Sequence, residues 1–208
     1  MRRAIKLNFS DTNAWITLAE CLWKKAEYVE AKESLLSSIK IQPTIDAYIL
    51  LSMLAKLIKP TSAVVGSAPS KEVMLEHNKV VSEESISYAK SAINIDINNS
   101  KSWYILGNAY CGKYFSVSMD IQDLNKSITC YNKALGLLST TPSPSASTGG
   151  NNDTNHMPNP DLYYNKAELC MYVQNYTQAV EHYTIAHQID PSINRQIPDI
   201  LAYIEVSK

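Results

Sequence analysis

The feature that most constrains the fold is a glycine inside a helical pattern, in residues 100–116, SKSWYILGNAYCGKYFS. Trp103, Leu106 and Tyr110 recur at the spacing of one face of an amphipathic helix. Gly107 lies on the same face, although a glycine within a helix costs about 1 kcal/mol relative to alanine. The missing side chain predicts that another segment of backbone passes close to this position.

The same arrangement recurs near both ends of the chain. Trp15 begins one copy and Tyr163 begins another, and each is followed by matching residues at offsets of 16, 20, 23 and 28. The matching residues are Ala31, Leu35, Ser38 and Pro43 in the first copy, and Ala179, Tyr183, Ala186 and Pro191 in the second. Two stretches far apart in the chain therefore follow one template.

This template resembles the tetratricopeptide repeat, a helix–turn–helix unit of 34 residues. The resemblance implies an all-α fold in which the units stack into a right-handed superhelix. Small residues at Ala19, Gly107 and Ala167 would let the second helix of each unit approach the first. The last unit departs from the pattern at Lys166, where an apolar residue is usual.

The template predicts how the chain is divided. The four expected units are residues 12–45, 46–98, 99–138 and 161–193. The second unit is degenerate, with an insertion near 59–71, and the third has an extended turn between its helices. Residues 1–11 are expected to be the tail of a preceding second helix, 139–160 a disordered polar linker, and 194–208 a capping helix. A chain that begins within a unit is expected to be a fragment of a longer protein.

Composition argues for a protein of the cytoplasm or the nucleus. The net charge of −1 gives no bulk attraction to nucleic acid or to anionic membranes, and no apolar run is long enough to span a bilayer. The four cysteines show no paired spacing and are predicted to be buried free thiols. Neither the histidines nor the serines show the spacing of a metal site or a catalytic pair, so we expect no enzyme activity, no metal and no cofactor.

A second face of each first helix is predicted to line a concave groove. It carries both charge signs, amides and aromatic rings, a mixture that suits a short extended peptide. The residues predicted to contact the peptide are Glu20, Trp23, Lys24, Met53, Lys56, Lys101, Tyr104, Asn108, Asp161, Tyr164, Asn165 and Glu168. Others on the same face include Asn13, Ile16, Asp46, Ile49 and Cys111. The alternative is that these residues form only a solvated surface.

Three features together resemble the Strap family of repeat proteins. They are the block SWYILGN, the extended turn after it, and the NPDL sequence before the last unit. The resemblance implies an adaptor that scaffolds transcriptional co-activators in the nucleus. It also implies recognition of the N-terminal Met-Arg-Glu peptide of nascent tubulin in the autoregulation of tubulin mRNA. Members also carry a C-terminal OB-type domain, so functions that rest on that domain are not expected of residues 1–208 alone.

The family carries a basic residue immediately before this block, and Lys101 occupies that place here. If arginine is usual there, the lysine loses the bidentate geometry with which a guanidinium binds a carboxylate. Lys101 is nevertheless the residue that the resemblance assigns to the glutamate of the peptide.

Two other functions stay open. A chaperone co-factor would grip the C-terminal peptide of Hsp70 or Hsp90, but of its clamp positions, here Ile16, Glu20, Leu50, Lys101 and Ile105, only Lys101 fits. A purely structural scaffold in a multiprotein complex would bind through its loops or its convex face. In each case the expected partner is a protein or peptide, with no direct contact to nucleic acid or membrane. The chain is expected to be a monomer, or a dimer formed through an exposed terminal repeat.

Overall fold

The structure, a computed structural model, describes residues 11–60, 70–140 and 159–193 together with Ala202. Every regular element within these residues is helical, so the all-α fold class is confirmed. The helices are α1 (Thr12–Lys24), α2 (Tyr28–Ile41), α3 (Ile45–Ala55), α4 (Lys71–Ile95), α5 (Ser100–Lys113), a π-helix (Tyr114–Ser118), α6 (Ile121–Thr140), α7 (Pro160–Tyr172) and α8 (Tyr176–Ile189).

Four predicted features fall wholly or mostly outside the described residues. They are the N-terminal tail, the core of the insertion at 61–69, the linker at 141–158, and the capping helix apart from Ala202. The described residues form two compact parts, an N-terminal part (residues 1–130) and a C-terminal part (residues 131–208).

Polar caps fix where the helices begin. Asn99 precedes α5, and its Oδ1 accepts from the backbone N–H of Ser102 at 2.8 Å. Asp11, Thr44 and Asn159 cap α1, α3 and α7 in the same way. These side chains satisfy backbone donors that the first turn of a helix leaves unpaired.

Two hydrophobic clusters hold the N-terminal part together. One joins α1, α2 and α3 through Ala19, Leu22, Ala31, Leu35, Ala47, Leu51 and Leu54. The other joins α3 to α6 through Ile49, Ile86, Ala89, Ala92, Ile93, Ile105, Leu106, Ala109 and Cys130. Each contains several alanines, which allow neighbouring helices to pack closely.

Small residues bring the paired helices together, as the glycine pattern predicts. Gly107 is buried, and its carbonyl accepts from the Ser127 hydroxyl of α6 at 2.8 Å. In the preceding helix pair, the hydroxyls of Ser52 and Ser85 each donate to the other residue's carbonyl at 2.8 Å. A larger side chain at Ser52 or Gly107 would push the second helix away.

The segment between α5 and α6 contains a π-helix where an extended turn is predicted. The backbone N–H of Met119 donates to the Tyr114 carbonyl at 2.9 Å, and Met119 has a left-handed φ of 46°. Asp123 is buried beside this segment and accepts from the Ser118 hydroxyl at 2.9 Å. The chain therefore continues past the end of α5 before it turns.

In the C-terminal part, α7 and α8 pack as a helix pair. Their core contains Ala167, Cys170, Ala179 and Tyr183. Lys166, which replaces the usual apolar residue, is nevertheless only 8% exposed.

One prediction about burial needs correction. The prediction of buried thiols holds for Cys130 and Cys170, but Cys111 is partly exposed and Cys21 is exposed. Ile49, predicted on the groove face, is 1% exposed. Trp103, predicted to face the partner helix, is half-buried and packs against the cluster that joins α3 to α6.

Candidate peptide-binding groove

A cavity of about 300 Å³ lies where the first helices of three successive helix pairs meet. Its walls come from α1, α3 and α5, all within the N-terminal part. The lining residues are Asn13, Ile16, Thr17, Glu20, Asp46, Ile49, Leu50 and Lys101. We call this cavity the groove site.

Helix capping places the polar residues of the groove site. Asn13, Asp46 and Lys101 each belong to the first turn of their helix, two residues after the capping residue. The first turns of α1, α3 and α5 therefore meet at one place. Backbone N–H groups at helix starts carry partial positive charge, which favours carboxylates nearby.

Both charge signs meet in the groove site. Lys101 Nζ lies 3.9 Å from Asp46 Oδ1, and the two side chains are 52% and 73% exposed. Such an exposed, long ion pair contributes little to stability. Glu20 adds a second carboxylate to the same lining. Lys101 and the two acids are thus accessible to a charged ligand at little cost to the fold.

Lys56 and Asn108 meet at a second place between α3 and α5. Lys56 Nζ donates to the Asn108 backbone carbonyl at 2.6 Å. The lysine as a whole is exposed, but its ammonium end lies so close to Gly112 that a Cβ there would be 3.1 Å from Nζ. Burial of the ammonium against α5, away from water, lowers the pKa of Lys56 to about 8, and the charge of a Cys111 thiolate opposes this shift. Burial in turn raises the pKa of Cys111.

Four other predicted contact residues of the N-terminal part lie outside the groove-site lining. Trp23 and Tyr104 are half-buried, and each packs against a hydrophobic cluster. Lys24 is exposed near the end of α1, and Met53 is 40% exposed on α3.

The remaining predicted contact residues lie on α7 in the C-terminal part. The Tyr183 hydroxyl of α8 donates to Glu168 Oε1 at 2.5 Å, and burial raises the pKa of Tyr183. The Tyr164 ring stands edge-on to the Tyr183 ring at 5.7 Å. Asp161 is exposed in the first turn of α7, and Asn165 is half-buried one turn later.

Sequence reasoning did not place Thr17 in the groove, and it named Leu50 only as a chaperone-clamp position. Thr17 follows Asn13 by four residues, and Leu50 follows Asp46 by four. Residues four apart share a helix face, so this spacing is the signal that identifies them.

In the part of the chain that the structure describes, no group of three or more His, Cys, Asp or Glu side chains could hold a metal ion. None of the described helices is long and apolar enough to cross a membrane.

Comparisons with known proteins agree with this architecture. Residues 12–45 match the sequence profile of the tetratricopeptide repeat. A thermophilic repeat protein of Thermus thermophilus superposes with a TM-score of 0.65 at 18% identity, over 99% of this chain and 87% of that one. The fold is that of the tetratricopeptide repeat. Stacked repeats of this kind present extended surfaces to protein partners, so the fold supports a protein-interaction scaffold.

Two further similarities bear on function. Tetratricopeptide repeat protein 5 of Bos taurus, also called Strap, is 29% identical over 192 residues. The match covers 92% of this chain but only 38% of that protein's length. YrrB, described as a repeat protein with an unusual peptide-binding site, has a TM-score of 0.52 at 16% identity, over 92% of this chain and 75% of its own.

Proposed function

We propose that this chain is an adaptor whose groove site binds a short peptide of a partner protein. The observation that carries the proposal is the meeting of Glu20, Asp46 and Lys101 around one cavity. A peptide with adjacent basic and acidic residues complements this arrangement. Charged hydrogen bonds of this kind contribute about 1.5–3 kcal/mol each.

The charges define how such a peptide would lie. A basic side chain would lie between Glu20 and Asp46, and an acidic side chain would displace Asp46 from Lys101. The side chains of Ile16 and Leu50 offer apolar contact to a neighbouring residue of the peptide.

The finer proposal is that the ligand is the N-terminal Met-Arg-Glu peptide of nascent tubulin. It is supported by the similarity to Strap and by the two charge signs of the groove site. A role in scaffolding transcriptional co-activators rests on the similarity alone. Because the chain spans 38% of the relative's length, functions of the whole relative are carried over only as proposals.

The charge of the groove site disfavours the chaperone co-factor alternative. A clamp for a C-terminal carboxylate needs several cations, whereas the lining contains two carboxylates and one lysine. Ile105, at another clamp position, is 4% exposed. A purely structural scaffold is the remaining alternative, and it requires no peptide affinity at the groove site.

Calorimetric titration with the peptide Met-Arg-Glu-Ile tests the proposal. The control peptide Met-Glu-Arg-Ile has the same composition with its two charges exchanged. We expect saturable binding of the first peptide and at least tenfold weaker binding of the second, a difference of about 1.4 kcal/mol. Equal affinity for both peptides would contradict the proposed orientation, and no binding by folded protein would favour the structural scaffold.

Two variants locate the binding. Lys101→Glu is expected to weaken Met-Arg-Glu-Ile by more than tenfold, whereas Lys40→Glu makes the same charge change on the exposed surface of α2 and should alter affinity less than twofold. Thermal melting checks that both variants are folded. Equal losses in the two variants would point to nonspecific electrostatic attraction instead.

A further inference from the structure

A second, larger cavity of about 540 Å³ opens between α4, α5 and α6. It shares no lining residue with the groove site. Its lining residues are Lys90, Ile93, Asn94, Trp103, Leu106, Tyr110, Asn125, Lys126, Thr129 and Cys130. We call it the α4–α6 cleft, and it lies entirely within the N-terminal part.

Two aromatic residues of α5 line this cleft. Trp103 and Tyr110 are both half-buried, and both pack against the cluster that joins α3 to α6. Trp103 Nε1 donates to the Ile97 carbonyl at 2.7 Å. This bond fixes the indole and satisfies its polar edge, while the rest of the ring lines the cleft.

The floor of the cleft is apolar. Ile93 and Leu106 line it together with the Trp103 ring and the Cys130 thiol. Burial raises the pKa of Cys130 to about 11, so this thiol is neutral at pH 7. Ligand sites in proteins have volumes of about 300–1,000 Å³ and are mostly apolar with a few polar groups. The α4–α6 cleft has this size and character.

The rim of the cleft is basic. Lys126 Nζ lies 5.5 Å from the centre of the Tyr110 ring and 3.2 Å from Asp123 Oδ1. Lys113 also pairs with Asp123, at 3.6 Å. Lys90 is exposed and has no ion-pair partner among the described residues. Two lysines thus share one buried carboxylate and a third is free, which leaves an excess of positive charge for an anionic ligand.

The cleft is elongated along α4. A neighbouring cavity of about 390 Å³ shares Lys90, Tyr110 and Lys126 with it and extends it to Glu83. Asn94 and Glu83 are separated by eleven residues of one helix, or about 16 Å. An extended peptide covers that distance with about five residues. This shape favours a peptide over a compact small molecule.

We propose that the α4–α6 cleft binds an extended acidic peptide segment of a second protein partner. One large apolar side chain of the segment would occupy the floor around Trp103 and Leu106. A following carboxylate would bind Lys90 and Lys126. The chain would then have two docking sites for different sequences, one for a peptide of mixed charge and one for an apolar–acidic segment.

The test is an NMR titration of the ¹⁵N-labelled chain with acetyl-Ser-Phe-Glu-Asp-Ser-amide. The chain has three tryptophans, Trp15, Trp23 and Trp103, so each indole N–H gives one resolvable signal. We expect a saturable shift of the Trp103 signal while those of Trp15 and Trp23 stay in place. A titration that leaves the Trp103 signal unmoved would overturn the proposal.

Two control peptides separate the apolar from the ionic contribution. Replacing Phe by Ser, or Glu-Asp by Gln-Asn, is expected to weaken binding at least tenfold. If either control binds as well as the parent peptide, the proposed recognition is wrong.

Matched variants separate the cleft from the groove site. Lys90→Glu should weaken the acidic peptide more than tenfold, whereas Lys79→Glu, an equally exposed position on α4 outside the cleft, should change affinity less than twofold. Lys101→Glu should leave this peptide's affinity unchanged. Loss of affinity in Lys101→Glu would assign the peptide to the groove site and overturn the proposal. Binding of Met-Arg-Glu-Ile at the groove site is measured in a separate titration. A negative result at one site therefore does not contradict the proposal for the other.

Discussion

Lys166 occupies a position that is usually held by an apolar side chain in this kind of helix pair. It is 8% exposed, and its side chain makes no hydrogen bond or ion pair with any residue that the structure describes. Burial lowers its pKa, and the nearby Glu181 and Cys170 oppose that shift only in part. The charged form is therefore less favourable in the folded state than in the unfolded chain.

Lys166→Met is expected to raise the free energy of unfolding by about 1 kcal/mol at pH 7, because methionine keeps the stem and removes the charge. Urea unfolding, monitored by circular dichroism, measures this change in the free energy of unfolding. Lys133→Met, an exposed lysine of the same part, should stay within about 0.5 kcal/mol of the parent. Destabilisation by Lys166→Met would mean that the ammonium makes a favourable interaction.

We expect His182 to make the stability of the C-terminal part depend on pH. It is 7% exposed, and its Nδ1 has no hydrogen-bond partner among the residues that the structure describes. Burial lowers its pKa, repulsion from Lys166 adds to this, and Glu181 opposes it. The folded protein thus holds the proton less tightly than the unfolded chain, whose histidine titrates near 6.5.

We therefore expect the contribution of His182 to stability to be constant above about pH 6.5 and to fall as the pH drops below it, by about 1.4 kcal/mol for each unit of pKa depression. Urea unfolding at pH 7 and pH 5 measures the loss. His182→Phe should reduce it, and His187→Phe, on the same helix but less buried, is the control. An equal loss in the parent and in His182→Phe would assign the acid sensitivity to other groups.

Two helix pairs have a strained residue at the same position of the turn between their helices. Ala26 and Gln174 both have a φ of 60°, and each lies eleven residues after the aromatic residue that begins its copy of the template. A residue other than glycine in this left-handed conformation costs about 1–3 kcal/mol. In the third helix pair the corresponding position lies in the π-helix, and the left-handed residue is Met119.

Ala26→Gly should stabilise the N-terminal part by about 0.5 kcal/mol, because relief of strain exceeds the added entropy of the unfolded chain. Ala14→Gly, in the first turns of α1, should instead destabilise it by up to about 1 kcal/mol. Opposite signs in urea unfolding would support the turn geometry. A loss of the same size in both variants would contradict it.

The spacing of small and large residues predicted the helical fold because close packing of paired helices depends on few positions. Gly107 and Ser52 are clear cases, since each lies where a second helix passes within hydrogen-bonding distance. The π-helix was not predictable in this way. It depends on Asp123, Ser118 and Lys113 meeting in three dimensions, and their spacing does not reveal that contact.

The helix faces that line the groove site were predictable, but the contacts between the helices were not. Helical periodicity assigned Glu20 and Lys101 to one face of their respective helices, and both line the cavity. Which residues of successive helices meet depends on how α1, α3 and α5 are offset along their axes. Asp46 was assigned to the same face, but the distance of 3.9 Å between its Oδ1 and Lys101 Nζ does not follow from periodicity.

At the scale of the whole molecule, each of the two parts contains a hydrophobic cluster of its own. The C-terminal core of Ala167, Cys170, Ala179 and Tyr183 contains no residue of the N-terminal clusters. Stability in repeat proteins is the sum of contributions from each repeat and from contacts between neighbours. All three tryptophans belong to residues 1–130, so their fluorescence reports on the N-terminal part, whereas circular dichroism reports on helices of both parts.

Tyr183→Ala, which empties a site that is 1% exposed, should destabilise the C-terminal part by about 3 kcal/mol. The urea midpoint from tryptophan fluorescence should stay unchanged, while part of the circular dichroism transition moves to lower urea. Leu35→Ala, at a fully buried position in the N-terminal part, should instead shift the fluorescence midpoint. If Tyr183→Ala moves both signals together, the two parts unfold as one cooperative unit. If they unfold separately, peptide binding at the groove site and the α4–α6 cleft should survive Tyr183→Ala, because both sites are built from residues 1–130.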